Sequence, residues 1–544
     1  MNPNEVAERI WRKDAALWKS DPDSIKLINN SLGWLTVANE MLGVVDDLAA
    51  FADSVRSRGF QHVMVCGMGG SSLCPEVLAR TFGRQRGYPE LLVLDSTDPD
   101  VIAAFKEQID IEHTLFIIAS KSGSTTEPNV FQKFWYHELS ELVENPGDNF
   151  IAITDPGSPL VETAEELGFL AVFLNQPDIG GRYSALSYFG MLPAALMGLD
   201  VRRFLKKASE AMQSILSAWD LGKTLGENAN AGRDKLTLVL EPPIESLGLW
   251  IEQLIAESTG KEGKGILPVN GELLGSPDLY GNDRIFVSIS IEGVSETTRQ
   301  KLEALAAAGQ PVVYRQLADL YDLGAEFFLW EYATAIAGAY MGINPFDQPN
   351  VQEAKDATKE LLSAFERHGQ LEPRTKLAAD GLITVYGADD APEAGSIAEA
   401  VRRQLATIKP GDYIALLNFV EDTPDVDRQF QEIRDLLRDA THCAVTIGYG
   451  PRFLHSTGQL HKGGPDTGVF LQIIADDQTD FAVPGEPYTF SILKQAQALG
   501  DFRALLKRGR RVIGVELGKD LRAGIEQLNT AVSTALRGRQ AIGQ

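Results

Sequence analysis

Short apolar runs alternate with amphipathic stretches along most of the chain, and this alternation predicts its main elements. Between residues 58 and 205, each apolar run is long enough for one buried strand, and the stretches between the runs have helical spacing. Strands that alternate with helices in this way form parallel, doubly wound sheets with right-handed crossovers. The predicted strands of this first α/β unit are 62–66, 91–95, 115–120, 150–154 and 171–174.

The same alternation recurs twice more along the rest of the chain. A segment with a helical pattern precedes all three units. Residues 1–57 have apolar positions at helical spacing, and we predict a helical segment there. We predict α/β domains at 58–205, 206–375 and 376–544. Residues 351–380 are expected to form a charged helix and a polar linker. The predicted strands of the second and third units are 236–240, 283–291 and 311–315, followed by 382–386, 413–418, 443–449, 469–475 and 511–516.

Composition and charge narrow the class of protein. A chain of 544 residues exceeds one ordinary core, and 44% hydrophobic with 23% charged residues is typical of globular proteins. The net charge of −25 argues against nonspecific binding to nucleic acid or to anionic membranes. Three cysteines indicate a reducing compartment, and the sequence has no evident leader or membrane-spanning apolar run, so we expect a cytoplasmic protein.

Two of the predicted strands run into loops of small residues. The first loop is G-M-G-G-S-S at 67–72, and the second is S-K-S-G-S-T-T-E at 120–127. Glycine lets the backbone approach an anion, and hydroxyls, a lysine and the main-chain amides at a helix start are suitable phosphate donors. Neither loop contains a nucleotide P-loop motif, and the dinucleotide glycine fingerprint is incomplete. The loops therefore predict a phosphosugar site, although such turns also occur for packing alone.

Four later residues could carry chemistry beside these loops. Arg182 lies in a glycine-supported turn before an apolar helix. Glu257 ends another apolar helix, where its surroundings could tune it as a base. Lys355 lies in a charged helix, and His455 lies in the unusually long polar segment 450–468. The alternative interpretation of each residue is a solvated side chain on the protein surface.

These motifs together resemble those of the glucose-6-phosphate isomerase family, which is built from sugar-isomerase (SIS-type) domains. The resemblance extends from about residue 30 to the end of the chain, and it is greatest to the isomerase part of fused transaldolase–isomerase proteins. Because the chain begins just ahead of the first sugar-isomerase unit, no transaldolase half is expected. The matching motifs are G-M-G-G-S-S-L-C-P, S-K-S-G-S-T-T-E, G-G-R-Y-S, E-S-x-G-K-E-G-K-G-I and N-P-F-D-Q-P-x-V.

The resemblance implies a role for each matching residue. Glu257 is the implied base that moves a proton between C2 and C1 of the sugar, and Arg182 is implied to stabilise the enediolate. His455 and Lys355 are implied to assist ring opening. The family uses no metal or redox cofactor, so none is expected here. The implied substrate contacts are Gly70, Ser71, Ser120, Lys121, Ser122, Thr125, Gly181 and Gln348.

A second lysine, Lys519 in G-V-E-L-G-K, is interpreted as a false match to the family's lysine. In the family that lysine lies eight residues after the aspartate of an Asp-Gln pair, and this context occurs at Asp347 and Gln348, which selects Lys355. His455 follows Lys355 by a hundred residues. In most members of the family the histidine precedes the lysine, whereas the fused proteins have the order found here.

The implied activity is the reversible isomerisation of glucose 6-phosphate and fructose 6-phosphate through a cis-enediol(ate), a step of glycolysis and gluconeogenesis. The implied assembly is a homodimer, often with the histidine crossing between subunits. Two alternatives stay open: a noncatalytic phosphosugar-binding regulator on the same scaffold, and an isomerase that also accepts mannose 6-phosphate. A small phosphosugar is the expected partner in each case, with no nucleic acid and no membrane.

Overall fold

The computed structural model describes residues 2–213 and 215–542. Its N-terminal segment is helical, as the spacing of apolar residues predicts. Among the described residues, no helix is long and apolar enough to cross a membrane. The four helices of the N-terminal segment are α1 (Pro3–Trp11), α2 (Pro22–Asn29), α3 (Val37–Leu42) and α4 (Val45–Ser57).

The first α/β unit contains a five-stranded parallel sheet, and all five strands predicted from the sequence are confirmed. The strand order is β2-β1-β3-β4-β5. Strand β2 is added on one side of β1, and β3, β4 and β5 are added on the other side, so the order of the strands reverses between β1 and β3. Such a reversal opens a crevice at the carboxyl ends of the two strands, where ligands bind in open α/β sheets. The elements are β1 (His62–Gly67), α5 (Leu73–Phe82), β2 (Glu90–Leu94), α6 (Pro99–Gln108), β3 (Thr114–Ala119), α7 (Thr126–Ser140), β4 (Phe150–Thr154), α8 (Pro159–Glu166), β5 (Ala171–Leu174) and α9 (Tyr188–Leu196).

The second unit contains a four-stranded parallel sheet of order β7-β6-β8-β9. Strand β7 is not among the predicted strands, because it has only three residues, includes Pro268 and pairs only with the start of β6. One hydrophobic core extends from Val6 to Phe346 and is shared by the first two sheets and the N-terminal helices. The elements are α10 (Val201–Met212), α11 (Leu216–Asn230), β6 (Lys235–Leu240), α12 (Leu247–Thr259), β7 (Leu267–Val269), β8 (Arg284–Ile291), α13 (Glu296–Ala307), β9 (Val312–Leu317), α14 (Leu323–Met341) and α15 (Val351–His368).

The third unit contains a six-stranded sheet of order β10-β11-β15-β14-β12-β13. Its last four strands in this order are parallel, whereas β11 is antiparallel to both of its neighbours, β10 and β15. The limits of the three domains stay a prediction. The elements are β10 (Thr375–Asp380), β11 (Ile383–Gly387), α16 (Ile397–Leu405), β12 (Tyr413–Phe419), α17 (Pro424–Thr441), β13 (Ala444–Tyr449), α18 (Gly458–Gly463), β14 (Gly468–Ala475), α19 (Phe490–Lys507), β15 (Arg511–Leu517) and α20 (Leu521–Ile542).

Strand β10 corrects one sequence-based prediction, because residues 375–380 were expected to belong to a polar linker. Only Leu377 and Ala378 of this strand are buried, so its alternation is too short to be visible in the sequence. Pairing with β11 stabilises it as an edge strand, and edge strands tolerate polar, charged side chains.

The segment 450–468 is also more regular than the polar loop expected there. It forms a turn of 3-10 helix at Arg452–His455, followed by α18. Arg452 holds this segment against the first unit with a bidentate pair: its Nε lies 2.8 Å from Asp95 Oδ2, and its Nη2 lies 2.9 Å from Asp95 Oδ1. Asp95 directly follows β2, so the pair brings His455 to the carboxyl edge of the first sheet.

Candidate active site

Two of the three glycines of the first loop, Gly69 and Gly70, allow three parts of the chain to meet. A Cβ atom on Gly70 would lie 1.9 Å from the carbonyl oxygen of Gly181, so only glycine fits there. Gly69 has a φ of +56°, and a Cβ atom on it would lie 2.6 Å from Gln253 Nε2 and 3.1 Å from the His455 carbonyl oxygen. The first loop therefore packs backbone to backbone against the arginine turn and beside the histidine segment.

The second loop presents hydroxyl groups at the start of α7. The hydroxyl of Ser120 donates to Thr125 Oγ1 at 3.1 Å, and the hydroxyls of Ser122 and Ser124 lie 3.0 Å apart. The side chain of Thr125, the residue before α7, makes no capping hydrogen bond, so the start of this helix can donate main-chain amides to an anion. The ammonium of Lys121 points elsewhere, because it pairs with Asp155 and donates to the carbonyl of Pro177 at 2.8 Å.

Arg182 is 2% exposed and is held by residues of two other motifs. Its Nε donates to Ser258 Oγ at 2.7 Å, next to the predicted base. Its Nη2 donates to the carbonyls of Pro345 at 2.6 Å and Asp347 at 3.0 Å, and its Nη1 donates to Gln348 Oε1 at 3.0 Å. These bonds fix the guanidinium plane before any ligand binds.

Glu257 lies beside that guanidinium at the carboxyl end of α12. Its Oε1 is 3.6 Å from Arg182 Nη1, and the residue is 8% exposed. Gln253, one helical turn earlier, donates from Nε2 to Glu257 Oε2 at 3.3 Å and to the His455 carbonyl at 2.8 Å. The structure thus brings the predicted base, the predicted arginine and the predicted histidine segment together.

The His455 side chain pairs with Glu127, the last residue of the second loop. His455 Nε2 and Glu127 Oε1 are 3.1 Å apart. Burial opposes ionisation of Glu127, but the charges of His455 and Lys355 and the hydrogen bond from His455 together hold the pKa of this carboxyl below its ordinary value. Glu127 is therefore ionised at neutral pH, and the proton of this pair resides on His455 Nε2.

Lys355 is exposed on α15 and faces the second loop across a cavity of about 760 Å³. Ser122, Thr125 and His455 line the same cavity. This space is large enough for a sugar phosphate and connects the anion-binding loop to the histidine. It lies between the first unit, α15 and the histidine segment of the third unit.

All these contacts form within one chain. The His455 side chain meets Glu127, and its carbonyl accepts from Gln253, both from the same molecule. Gln459, four residues after His455, braces the segment from the other side by donating to the Gly260 carbonyl at 2.8 Å. The subunit crossing that the resemblance implies is therefore not needed to bring the histidine to this site.

Lys261, the first lysine of the E-S-x-G-K-E-G-K-G-I motif, also belongs to this site, although its residue type alone did not predict a role. Its side chain is 1% exposed and pairs with Asp347 Oδ1 at 2.6 Å. Burial and the charge of Arg182 lower the pKa of Lys261 to about 8, despite the opposing charge of Asp347. Gln253 was not predicted as a site residue either. It lies one turn before Glu257 in α12, so the spacing places both side chains on one face of this helix.

Lys519 and His461, the second histidine of the segment 450–468, lie outside this site. Lys519 lines a different cavity together with Asp98, Asp477 and Lys494. His461 is buried in α18 and bonds Tyr413 Oη through Nδ1 at 2.8 Å. Burial and two neighbouring cations keep the pKa of His461 well below its ordinary value, so it acts as a neutral core residue.

Comparison with known proteins gives consistent matches. Residues 35–219 match the family model of phosphoglucose isomerase. The chain is 29% identical over 363 residues to the glucose-6-phosphate isomerase of Rubrobacter xylanophilus, covering 56% of this chain and 84% of the relative. It is 28% identical over 394 residues to that of Citrifermentans bemidjiense, covering 60% and 72% of the two chains.

Two solved structures share the fold. A hypothetical protein of Thermus thermophilus aligns with a TM-score of 0.58 at 23% identity, over 66% of this chain and 94% of its own. A glucose-6-phosphate isomerase of Chlamydia trachomatis aligns with a TM-score of 0.51 at 20% identity, over 66% and 78% of the two chains. The chain is therefore similar in sequence to glucose-6-phosphate isomerases, and its residues 35–219 match the phosphoglucose isomerase family model.

Proposed function

We propose that the protein catalyses the reversible isomerisation of glucose 6-phosphate and fructose 6-phosphate through a cis-enediol(ate). The observation that carries the proposal is the buried pair of Glu257 and Arg182, 3.6 Å apart, beside His455. Aldose–ketose isomerisation needs a base at the acidic C–H bond, a proton donor for ring opening and a charge that stabilises the enediolate. A cytoplasmic homodimer is part of the same proposal.

The phosphate group is assigned to the second loop and the start of α7. Ser122 and Thr125 offer hydroxyls towards the cavity, and Lys355 supplies a cation opposite them. Because the Lys121 ammonium is engaged by Asp155, we assign to Lys121 only a main-chain contact. Phosphate held away from the reacting carbons orients the sugar and supplies binding energy for catalysis.

Ring opening requires transfer of one proton from the anomeric hydroxyl and delivery of one proton to the ring oxygen. We assign this exchange to His455, and the contact of its Nε2 with Glu127, which leaves Nδ1 for the sugar, supports the assignment. Lys355 lines the same space and assists by its positive charge. The imidazole accepts the proton from the anomeric hydroxyl and delivers a proton to the ring oxygen, as a general acid–base group must.

Isomerisation follows on the open-chain sugar. Glu257 removes the proton from C2 and returns it to C1, while Arg182 stabilises the negative charge on the enediolate oxygens. Arg182 is nearly fully buried and fixed by its bonds to Ser258, Pro345 and Gln348, so little reorganisation is needed when the charge develops.

A coupled assay of the purified protein tests this function. We expect the protein to convert fructose 6-phosphate to glucose 6-phosphate and glucose 6-phosphate to fructose 6-phosphate. Mannose 6-phosphate in a parallel reaction decides whether the C2 epimer is also accepted. Binding of fructose 6-phosphate without turnover would overturn the proposal and establish a phosphosugar-binding regulator instead.

A further inference from the structure

A polar chain of side chains extends behind the Glu127–His455 pair into the third unit. Gln497 of α19 donates from Nε2 to Glu127 Oε1 at 2.7 Å, the same oxygen that His455 contacts. Thr97, which follows β2, donates its hydroxyl to Gln497 Oε1 at 2.6 Å. The four residues therefore form one continuous series of hydrogen bonds from Thr97 to His455.

The three residues behind His455 in this series are removed from solvent. Thr97 is 0% exposed, Gln497 is 3% exposed and Glu127 is 5% exposed. In such surroundings hydrogen bonds are strong, and an unpaired polar atom is costly. The Gln497 amide turns its NH2 group towards Glu127, because an ionised carboxylate only accepts, and the Thr97 hydroxyl donates to the amide oxygen on the other side.

The direction of these bonds determines the state of His455. A carboxylate that accepts from the Gln497 amide is favoured in its ionised form. An ionised Glu127 accepts only, so His455 Nε2 must carry a hydrogen in their bond, and Nδ1 is the nitrogen left for the sugar. The remaining titratable groups that line this cavity are Lys355, Asp356, Lys359 and Glu366 on α15, with Glu486 and Tyr488 before α19.

We propose that Gln497 is a positioning residue for ring opening: held by Thr97, its amide fixes Glu127 so that His455 presents Nδ1 to the sugar. This inference rests on the proposed isomerase function and deepens it. It assigns a task to the third unit beyond carrying the histidine itself. Gln497 does not touch the substrate in this scheme and acts only through Glu127.

The test replaces Gln497 by methionine, which keeps the length of the side chain and removes the donor. Loss of a hydrogen bond to a charged group predicts a kcat lowered about tenfold to a hundredfold, with KM little changed. Ring opening then becomes slower than proton abstraction. The primary isotope effect on kcat with glucose 6-phosphate deuterated at C2 should therefore fall below that of the wild-type enzyme.

Two further variants separate positioning from simple structural damage. In Gln497→Glu the carboxyl group can donate to Glu127 only when protonated, so its activity relative to wild type should recover as pH falls. Gln495→Met is the matched control on the same helix, since Gln495 Nε2 bonds Ser491 Oγ at 3.4 Å and takes no part in the series. Wild-type kcat and isotope effect are expected for this control.

Several outcomes would overturn the inference. Wild-type kcat and isotope effect in Gln497→Met would do so, as would a loss of kcat with an unchanged isotope effect and no recovery of Gln497→Glu at low pH. Should Gln497→Met fail to fold, Thr97→Val decides: a smaller loss of kcat with a lowered isotope effect supports the inference, and wild-type behaviour refutes it. Inactive wild-type protein would instead refute the proposed function itself.

Discussion

Replacing Arg182 by methionine tests the electrostatic part of the proposed site. Methionine keeps much of the aliphatic volume but removes the charge and every guanidinium hydrogen bond. Arg182 Nη1 lies 3.6 Å from Glu257 Oε1, so an enediolate formed against Glu257 lies at a comparable distance from the cation. Two unit charges at this separation interact by about 4–5 kcal/mol at an effective dielectric constant of about 20.

Water entering the vacated space would restore part of that stabilisation. We therefore expect kcat to fall about a hundredfold to a thousandfold, the range found when one stabilising donor is removed from an oxyanion site. KM should change less, because the second loop and Lys355 hold the phosphate. A coupled assay with fructose 6-phosphate over a range of concentrations measures both constants.

Arg284→Met is the matched control for this experiment. Arg284 is fully buried in β8, donates to Thr237 Oγ1 at 2.8 Å and pairs with Glu272 at 3.2 Å. Its replacement should lower the melting temperature while leaving kcat per folded molecule unchanged. An Arg182→Met enzyme with normal kcat and raised KM would refute the reasoning and make Arg182 a binding residue only.

Three other expectations follow from the site. Glu257→Gln should lower kcat at least about a hundredfold with KM little changed, and near-normal turnover in steady-state assays would remove Glu257 as the base. Gly70→Ala should cost roughly 1–3 kcal/mol or more in urea denaturation, whereas Gly181→Ala, whose Cβ would have no neighbour within 4 Å, should have a much smaller effect. Lys261 has a pKa of about 8 against 10.5 in the unfolded chain, so the unfolded state binds more protons between these values. The wild-type protein should gain stability relative to Lys261→Met as pH rises from 8 to 10.5, and a constant difference in denaturation free energy would contradict this.

The sequence predicted the parallel sheets well because their strands are nearly continuous apolar runs. Strand β3, for example, is buried along its whole length, and a run of this kind is visible without knowledge of its partners. Strand β10 was missed because its stability comes from pairing with β11, which a single segment cannot reveal. The helical form of residues 452–455 depends in the same way on contacts with the first unit.

The sequence predicted only part of the site, because it identifies residue types but not the directions of side chains or their distant partners. Motifs identify residue types, so Glu257, Arg182 and His455 could be named from the chain alone. They do not say where a flexible side chain points, and the ammonium of Lys121 turned out to engage Asp155. Neither do they reveal partners distant in sequence: Thr97 and Gln497 are 400 positions apart, and only the fold brings them to one hydrogen bond.

The bidentate pair between Arg452 and Asp95 has a consequence for how the specific activity depends on protein concentration. It fastens the histidine segment to the sheet of its own chain, so every molecule carries a full set of the proposed catalytic groups. Specific activity should then be constant on dilution, even where two copies associate. Arg452→Met removes this pair without altering His455 or Glu127, so it should loosen the histidine segment on the first unit and lower kcat.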